Sequence, residues 1–385
     1  MKLTNTSPIM LCLAIGITLG CKKRYDPPRS AYEVDYLVVE GIINSGRGAT
    51  NIKLTRTTRI DSDSTKYELH ANVRVEDQHN NLFPLIEKGK GLYSTDQLNL
   101  DDNEKYRVHI KTGNGIEYVS DYSPVLRTPP IDSIEWQRNN GVQFFINTHN
   151  PSNRTTSYRW AFEETWEFHS FYRSLLEFDV NPRTGKVIGL KDRSPESSEK
   201  IYRCWKTQES TEILAGTSAR LIRDTIHLPF VNVPPASWKI GVLYSLNVKQ
   251  YAITDKEYEF WRRMKKNTEQ IGTIFDEQPS QLNSNIHNIN NPAELVVGYV
   301  SVADEQQKRI FIRNSEVPDW NYRQFCDDPA LSTLDLASLN AYYRVGVALH
   351  YNYTRTGAID GVLIATLECA DCTSRGTNVK PDFWP

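Results

Sequence analysis

The chain has 385 residues and a formal net charge of -2, with 45 Lys and Arg interspersed among 47 Asp and Glu. No long basic run gives the footprint of a nucleic-acid binder, and the length exceeds a single core of ordinary size, which points to two domains. Aromatic content is high, with 20 Tyr, 13 Phe and 8 Trp against 3 Met, which suits β-sheets and binding surfaces alike.

From Pro8 to Gly20 the chain is almost wholly apolar or small, follows an n-region whose only charged side chain is Lys2, and stops at Cys21. Such a stretch is shorter than the roughly 20 residues a membrane helix needs, so residues 1–20 read as a lipoprotein signal peptide. Cys21 then becomes the first mature residue and carries lipid. Thr18 and Gly20 also satisfy ordinary secretory cleavage, which would leave Cys21 unmodified. Residues 21–32, beginning with Lys22-Lys23-Arg24 and broken by Pro27-Pro28, read as a tether. Beyond the leader no apolar stretch approaches the length of a membrane span.

Residues 33–128 read as short strands. Tyr36 to Ile43 is β-branched and apolar, while Ile52 and Leu54, Val73 and Val75, and Tyr106, Val108 and Ile110 alternate with polar neighbours. Turn-rich pieces at Asn44-Ser45-Gly46, His79-Asn80-Asn81 and Asp101-Asp102-Asn103 separate them, a spacing that predicts an immunoglobulin-like β-sandwich without its internal disulfide. Asp61-Ser62-Asp63-Ser64 begins like a calcium loop but lacks the later glycine and glutamate, and reads as solvated.

Thr128-Pro129-Pro130 cannot continue a ladder and marks a boundary, after which residues 131–385 form a larger antiparallel β domain. A hairpin is expected around Asn140-Gly141. Ser157 to His169 is a long strand whose Tyr158, Trp160, Phe162, Trp166 and Phe168 alternate, favouring a core-facing row over a binding surface. One inserted helix is predicted near 254–270: Thr254-Asp255-Lys256-Glu257 is a capping box, Tyr258, Trp261 and Met264 line one face, and Glu259 pairs with Arg263. The fold class is therefore mainly β, a sandwich followed by a larger β domain with one helix.

Chemistry leaves few marks. There is no GxSxG, HExxH or phosphate-loop motif, and the 8 histidines are scattered, so no catalytic residue, metal or cofactor is expected. Cys204, Cys326, Cys369 and Cys372 form an even set suited to an oxidising compartment, with three possible pairings. Cys369-Ala370-Asp371-Cys372 also has the spacing of a redox pair or half a zinc site, but no βαβ pattern or second CxxC accompanies it. Glu163, Glu164 and Glu167 beside the aromatic row offer the carboxylates of a dispersed glycan hydrolase, whose acid and base stand about 5–10 Å apart.

One constellation is more particular. Tyr258-Glu259-Phe260-Trp261, Gly272-Thr273-Ile274-Phe275-Asp276-Glu277-Gln278-Pro279-Ser280, Asn285-Ile286, Asn291-Pro292 and Val297-Gly298-Tyr299 resemble the central signature of a Bacteroidota lipoprotein family, the domain of unknown function numbered four-two-four-nine. Leu37-Val38-Val39-Glu40-Gly41 and the terminal Cys369 to Trp384 resemble it too, and the family usually has glycine where Ser284 stands. The resemblance implies an outer-membrane lipoprotein, at the cell surface rather than the periplasmic face, encoded beside a TonB-dependent receptor as its partner, with no nucleic acid and no established catalytic residues. On this reading the protein is an accessory or binding protein in nutrient uptake. The alternatives are an envelope hydrolase and a structural assembly lipoprotein.

Overall fold

A computed structural model describes residues 35–58, 64–151, 155–219, 225–269 and 283–385. The leader, Cys21, the tether, Asp61 to Asp63 and Gly272 to Ser280 lie outside the described residues.

The first strands are β1 (Leu37–Asn44), β2 (Thr50–Arg56), β3 (Lys66–Tyr67), β4 (Asn72–Asp77), β5 (Leu82–Gly89), β6 (Leu92–Thr95), β7 (Lys105–Lys111), β8 (Glu117–Ser120) and β9 (Ser123–Leu126). Next come β10 (Ile131–Arg138), β11 (Val142–His149), β12 (Ser157–His169), β13 (Leu176–Val180) and β14 (Val187–Asp192), then helix α1 (Pro195–Tyr202). They are followed by β15 (Arg203–Glu209), β16 (Leu214–Thr217), β17 (Thr225–Val233), β18 (Leu243–Ile253) and α2 (Asp255–Glu269). The remainder holds β19 (Ile286–Asn288), β20 (Val297–Gly298), β21 (Val302–Ala303), β22 (Gln306–Arg313), β23 (Ala330–Ser332), α3 (Leu336–Tyr342), β24 (Gly346–Tyr353), β25 (Ile359–Thr366) and α4 (Leu367–Ala370).

The N-terminal strands do not build the expected immunoglobulin-like sandwich. They pair in the order β7-β4-β5-β6-β2-β1-β21-β9, and β9 returns to β7, closing a barrel-like ring. Alternating apolar residues feed its interior: Val39, Ile52, Leu54, Val73, Val75, Val108 and Ile110 are all buried there. A half-buried strand has the same period-two pattern in a sandwich and in a ring, so sequence spacing does not separate them. The closing strand β21 comes from Val302-Ala303 and runs parallel to both β1 and β9. β20 also lies parallel to β1, and β19 pairs with β8.

Two facing sheets do occur farther along. β10-β11-β17 lies on one side and β15-β12-β18-β22 on the other, with β16 beside β12. They enclose one core in which Phe144, Ile146 and Val231 meet Trp160, Trp166, Tyr244 and Val248. The aromatic row of β12 is thus core-facing. The hairpin before it forms as expected, Arg138 pairing with Val142 across Asn140 (φ 44°) and Gly141 (φ 131°). A smaller unit sets the β13–β14 hairpin and the β23-β25-β24 sheet around Leu176, Val187, Leu339 and Val362. Helices α1, α3 and α4 add to the single helix expected, and each is short enough that its sequence period is indistinct.

The Thr128-Pro129-Pro130 segment is pinned onto β18. Thr128 Oγ1 accepts from the Ala252 amide (3.0 Å), and the Pro129 carbonyl accepts from Gln250 Nε2 (2.8 Å).

Candidate functional site

The signature residues on either side of 270–282 meet at a cleft of about 540 Å3 between α2 and the segment 283–299. One wall is α2. Its N-terminus forms because Thr254 Oγ1 accepts from the Glu257 amide (3.2 Å), half of the expected capping box. The reciprocal half is replaced: Glu257 Oε1 accepts from Trp261 Nε1 (3.0 Å). Burial pushes the Glu257 carboxyl up, against the pull of the Trp261 and Ser301 side chains and of Arg159. Arg159 stacks 4.0 Å above the Trp261 ring. Glu259 pairs with Arg262 (2.7 Å) rather than with Arg263, since i,i+3 neighbours meet on a helix as readily as i,i+4.

The other wall is held by side chains gripping backbone. Asn285 Nδ2 donates to the Val300 carbonyl (2.8 Å) while its Oδ1 accepts from the Val300 amide (3.0 Å). Ser284, at the family's usual glycine position, donates Oγ to the Gly298 carbonyl (2.7 Å) and accepts from the Ile286 amide (3.1 Å). The turn that follows is organised by Asn288, whose Oδ1 accepts from the amides of Asn290 (2.8 Å) and Asn291 (3.1 Å). Phe260 from α2 and Tyr299 from the opposite wall meet at 5.6 Å and form the aromatic floor.

The three carboxylates of the hydrolase reading separate. Even-numbered residues of β12 face the core, so Glu164 is buried beside the aromatics, where Lys239 Nζ (2.5 Å) and the Tyr244 hydroxyl (2.8 Å) donate to it. Glu163 and Glu167 face the other way, about 13 Å apart along the strand at ~3.3 Å per residue, too far to flank one bond. Glu163 pairs with Arg309 (3.0 Å). Glu167 accepts twice from Arg203 (2.7 and 2.9 Å), from His169 (3.2 Å) and from Trp384 Nε1 (3.0 Å). Burial opposes its charge, but His169, Arg203 and Trp384 prevail and lower its pKa to about 2.

The cysteines of the CxxC sequence bond elsewhere: Cys372 with Cys204, and Cys369 with Cys326. Cys204 and Cys372 are wholly buried. Among the described residues no group of three or more His, Cys, Asp and Glu is placed to hold a metal ion, and no helix is long and apolar enough to cross a membrane.

Residues 22–309 match the profile of a domain of unknown function, DUF4249, which spans most of the chain. The protein belongs to that family. The match stops within β22, so the disulfide-bearing C-terminal segment, including Cys369 and Trp384, lies outside it. No match was found among curated proteins. The cleft could be found from sequence only through the resemblance, because Glu259, Phe260, Asn285 and Tyr299 carry no chemical motif.

Proposed function

We propose that the protein is a lipid-anchored, non-enzymatic accessory or binding protein of a Bacteroidota outer membrane, working with a TonB-dependent receptor in nutrient capture or uptake. The observation that carries this reading is the convergence of signature residues from two separate segments, Glu259 and Phe260 with Asn285 and Tyr299, around one open cleft. Asn285 and Ser284 brace backbone there, and the Glu259 and Asp255 carboxylates are engaged by Arg262 and Ser157. The leader ending in Leu19-Gly20-Cys21 supports the anchor. Several acyl chains would hold it firmly, whereas one binds only marginally. Cys21→Ala is expected to release the protein from membranes. Affinity purification of the wild type from gently solubilised outer membrane is expected to recover a TonB-dependent barrel, and its repeated absence would overturn the partnership.

A further inference from the structure

We propose that this cleft binds an elongated anionic ligand with a flat apolar centre, one anionic end on Lys256 and the other on Arg263. The proposal rests on the binding reading only in treating the cleft as a cargo site; its chemistry stands on the residues below.

Lys256 and Arg263 lie seven residues apart on α2, about 10 Å along one face at ~1.5 Å per residue. Both are exposed and line the cleft, and neither has a hydrogen bond or ion pair to another described residue. The acidic groups of the cleft are all engaged. Asp255 Oδ1 accepts from Ser157 Oγ (2.8 Å) at the N-terminal turn of α2, where the helix dipole answers its charge. Glu259 is held by Arg262, and Asp121 Oδ1 stands 3.1 Å from His287 Nε2. Asn285 and Ser284 are committed to backbone. What remains for a ligand is two cations, the exposed Asn283 and the part-exposed ring of Tyr299, which is backed by the buried Phe260 (3% exposed).

That set dictates the ligand's shape. Two cations two turns apart fit two anionic ends better than a single phosphate, and an aromatic floor between them favours a planar or apolar middle. The lining formally carries more carboxylates than cations, so long-range attraction does not draw anions in. Selectivity comes from contact with two exposed cations, and added salt should weaken binding of the anion.

The test is titration of the whole mature chain by calorimetry with biphenyl-4,4′-dicarboxylate and, separately, with its neutral dicarboxamide. One ligand per chain is expected, with the dicarboxylate about tenfold or more tighter, the scale of a charge-assisted hydrogen bond. Lys256→Gln and Arg263→Gln should each weaken it by about tenfold while leaving the melting temperature unchanged, since neither side chain supports the fold. Lys88→Gln, on β5 and outside the cleft lining, should bind like the wild type. Absence of saturable binding at millimolar probe, equal affinity for the dicarboxamide, or wild-type affinity in both cleft variants would each overturn the proposal. Selective binding without recovery of a receptor would leave this site standing and remove the partnership alone; recovery of a receptor without selective binding would remove this site alone.

Discussion

At the scale of single residues, the second unit depends on polar groups placed inside an aromatic core. Trp160 Nε1 donates to Gln250 Oε1 (2.7 Å), and Gln250 Nε2 donates to the Pro129 carbonyl and to Thr148 Oγ1 (3.0 Å), so one amide satisfies three buried groups. Gln250→Leu keeps the volume but leaves Trp160 Nε1 and the Pro129 carbonyl without this partner, while Thr148 Oγ1 keeps its bond to the Pro130 carbonyl (3.3 Å). It is expected to cost about 2–3 kcal/mol, read by urea denaturation. Glu167 makes a second prediction. Its folded pKa, about 2, lies below the ordinary carboxylate value, so its charged form stabilises the fold. That stability is complete above about pH 4.5 and fades as pH falls towards 2. Glu167→Gln should flatten the acid limb of the stability–pH curve by about 2 kcal/mol, a figure discounted because its partner Arg203 is partly exposed. The alternation of β12 was readable in the sequence, and with it the core-facing row. The fates of Glu163, Glu164 and Glu167 were not, because their partners Arg309, Lys239 and Arg203 lie on other elements.

At the scale of elements, strands and turns with a local signature came through well. β12 occupies Ser157–His169 as its pattern implies, and the Asn140-Gly141 hairpin forms. The short helices and the two-residue strands did not, having too few residues to show a period. Gly298 in β20 is one such hidden determinant. Its φ is +139°, and a Cβ there would stand 2.1 Å from the Val39 carbonyl oxygen, so Gly298→Ala must push β20 off β1. A loss of more than about 2 kcal/mol is expected, with faster amide exchange at Val38 and Val39. The disulfides also differ by element. Cys204–Cys372 ties β15 to the tail beneath Phe168 and Trp238, whereas Cys326–Cys369 joins a loop to α4 with both sulfur residues half-exposed. Mild reductant should open Cys326–Cys369 first, as mass spectrometry after alkylation would show.

At the scale of the whole molecule, the order of segments in the chain and their grouping in space part company. The ring that opens the structure is closed by Val302 and Ala303; most of the sandwich-like unit, β10 to β18, lies between the two contributions, and its last strand, β22, follows the second. A fragment ending at Leu126 should therefore lack cooperative unfolding, while one extending through β22 should regain it; thermal melts followed by circular dichroism would distinguish them. The same closure carries a consequence in time. While the chain emerges from its N-terminus, β1 and β9 present bare edges until more than 170 residues beyond Leu126 have appeared. Such edges invite pairing with other chains, and contacts so distant in sequence form slowly. The parallel strap at Val302-Ala303 thus makes the first strands to emerge among the last to be secured.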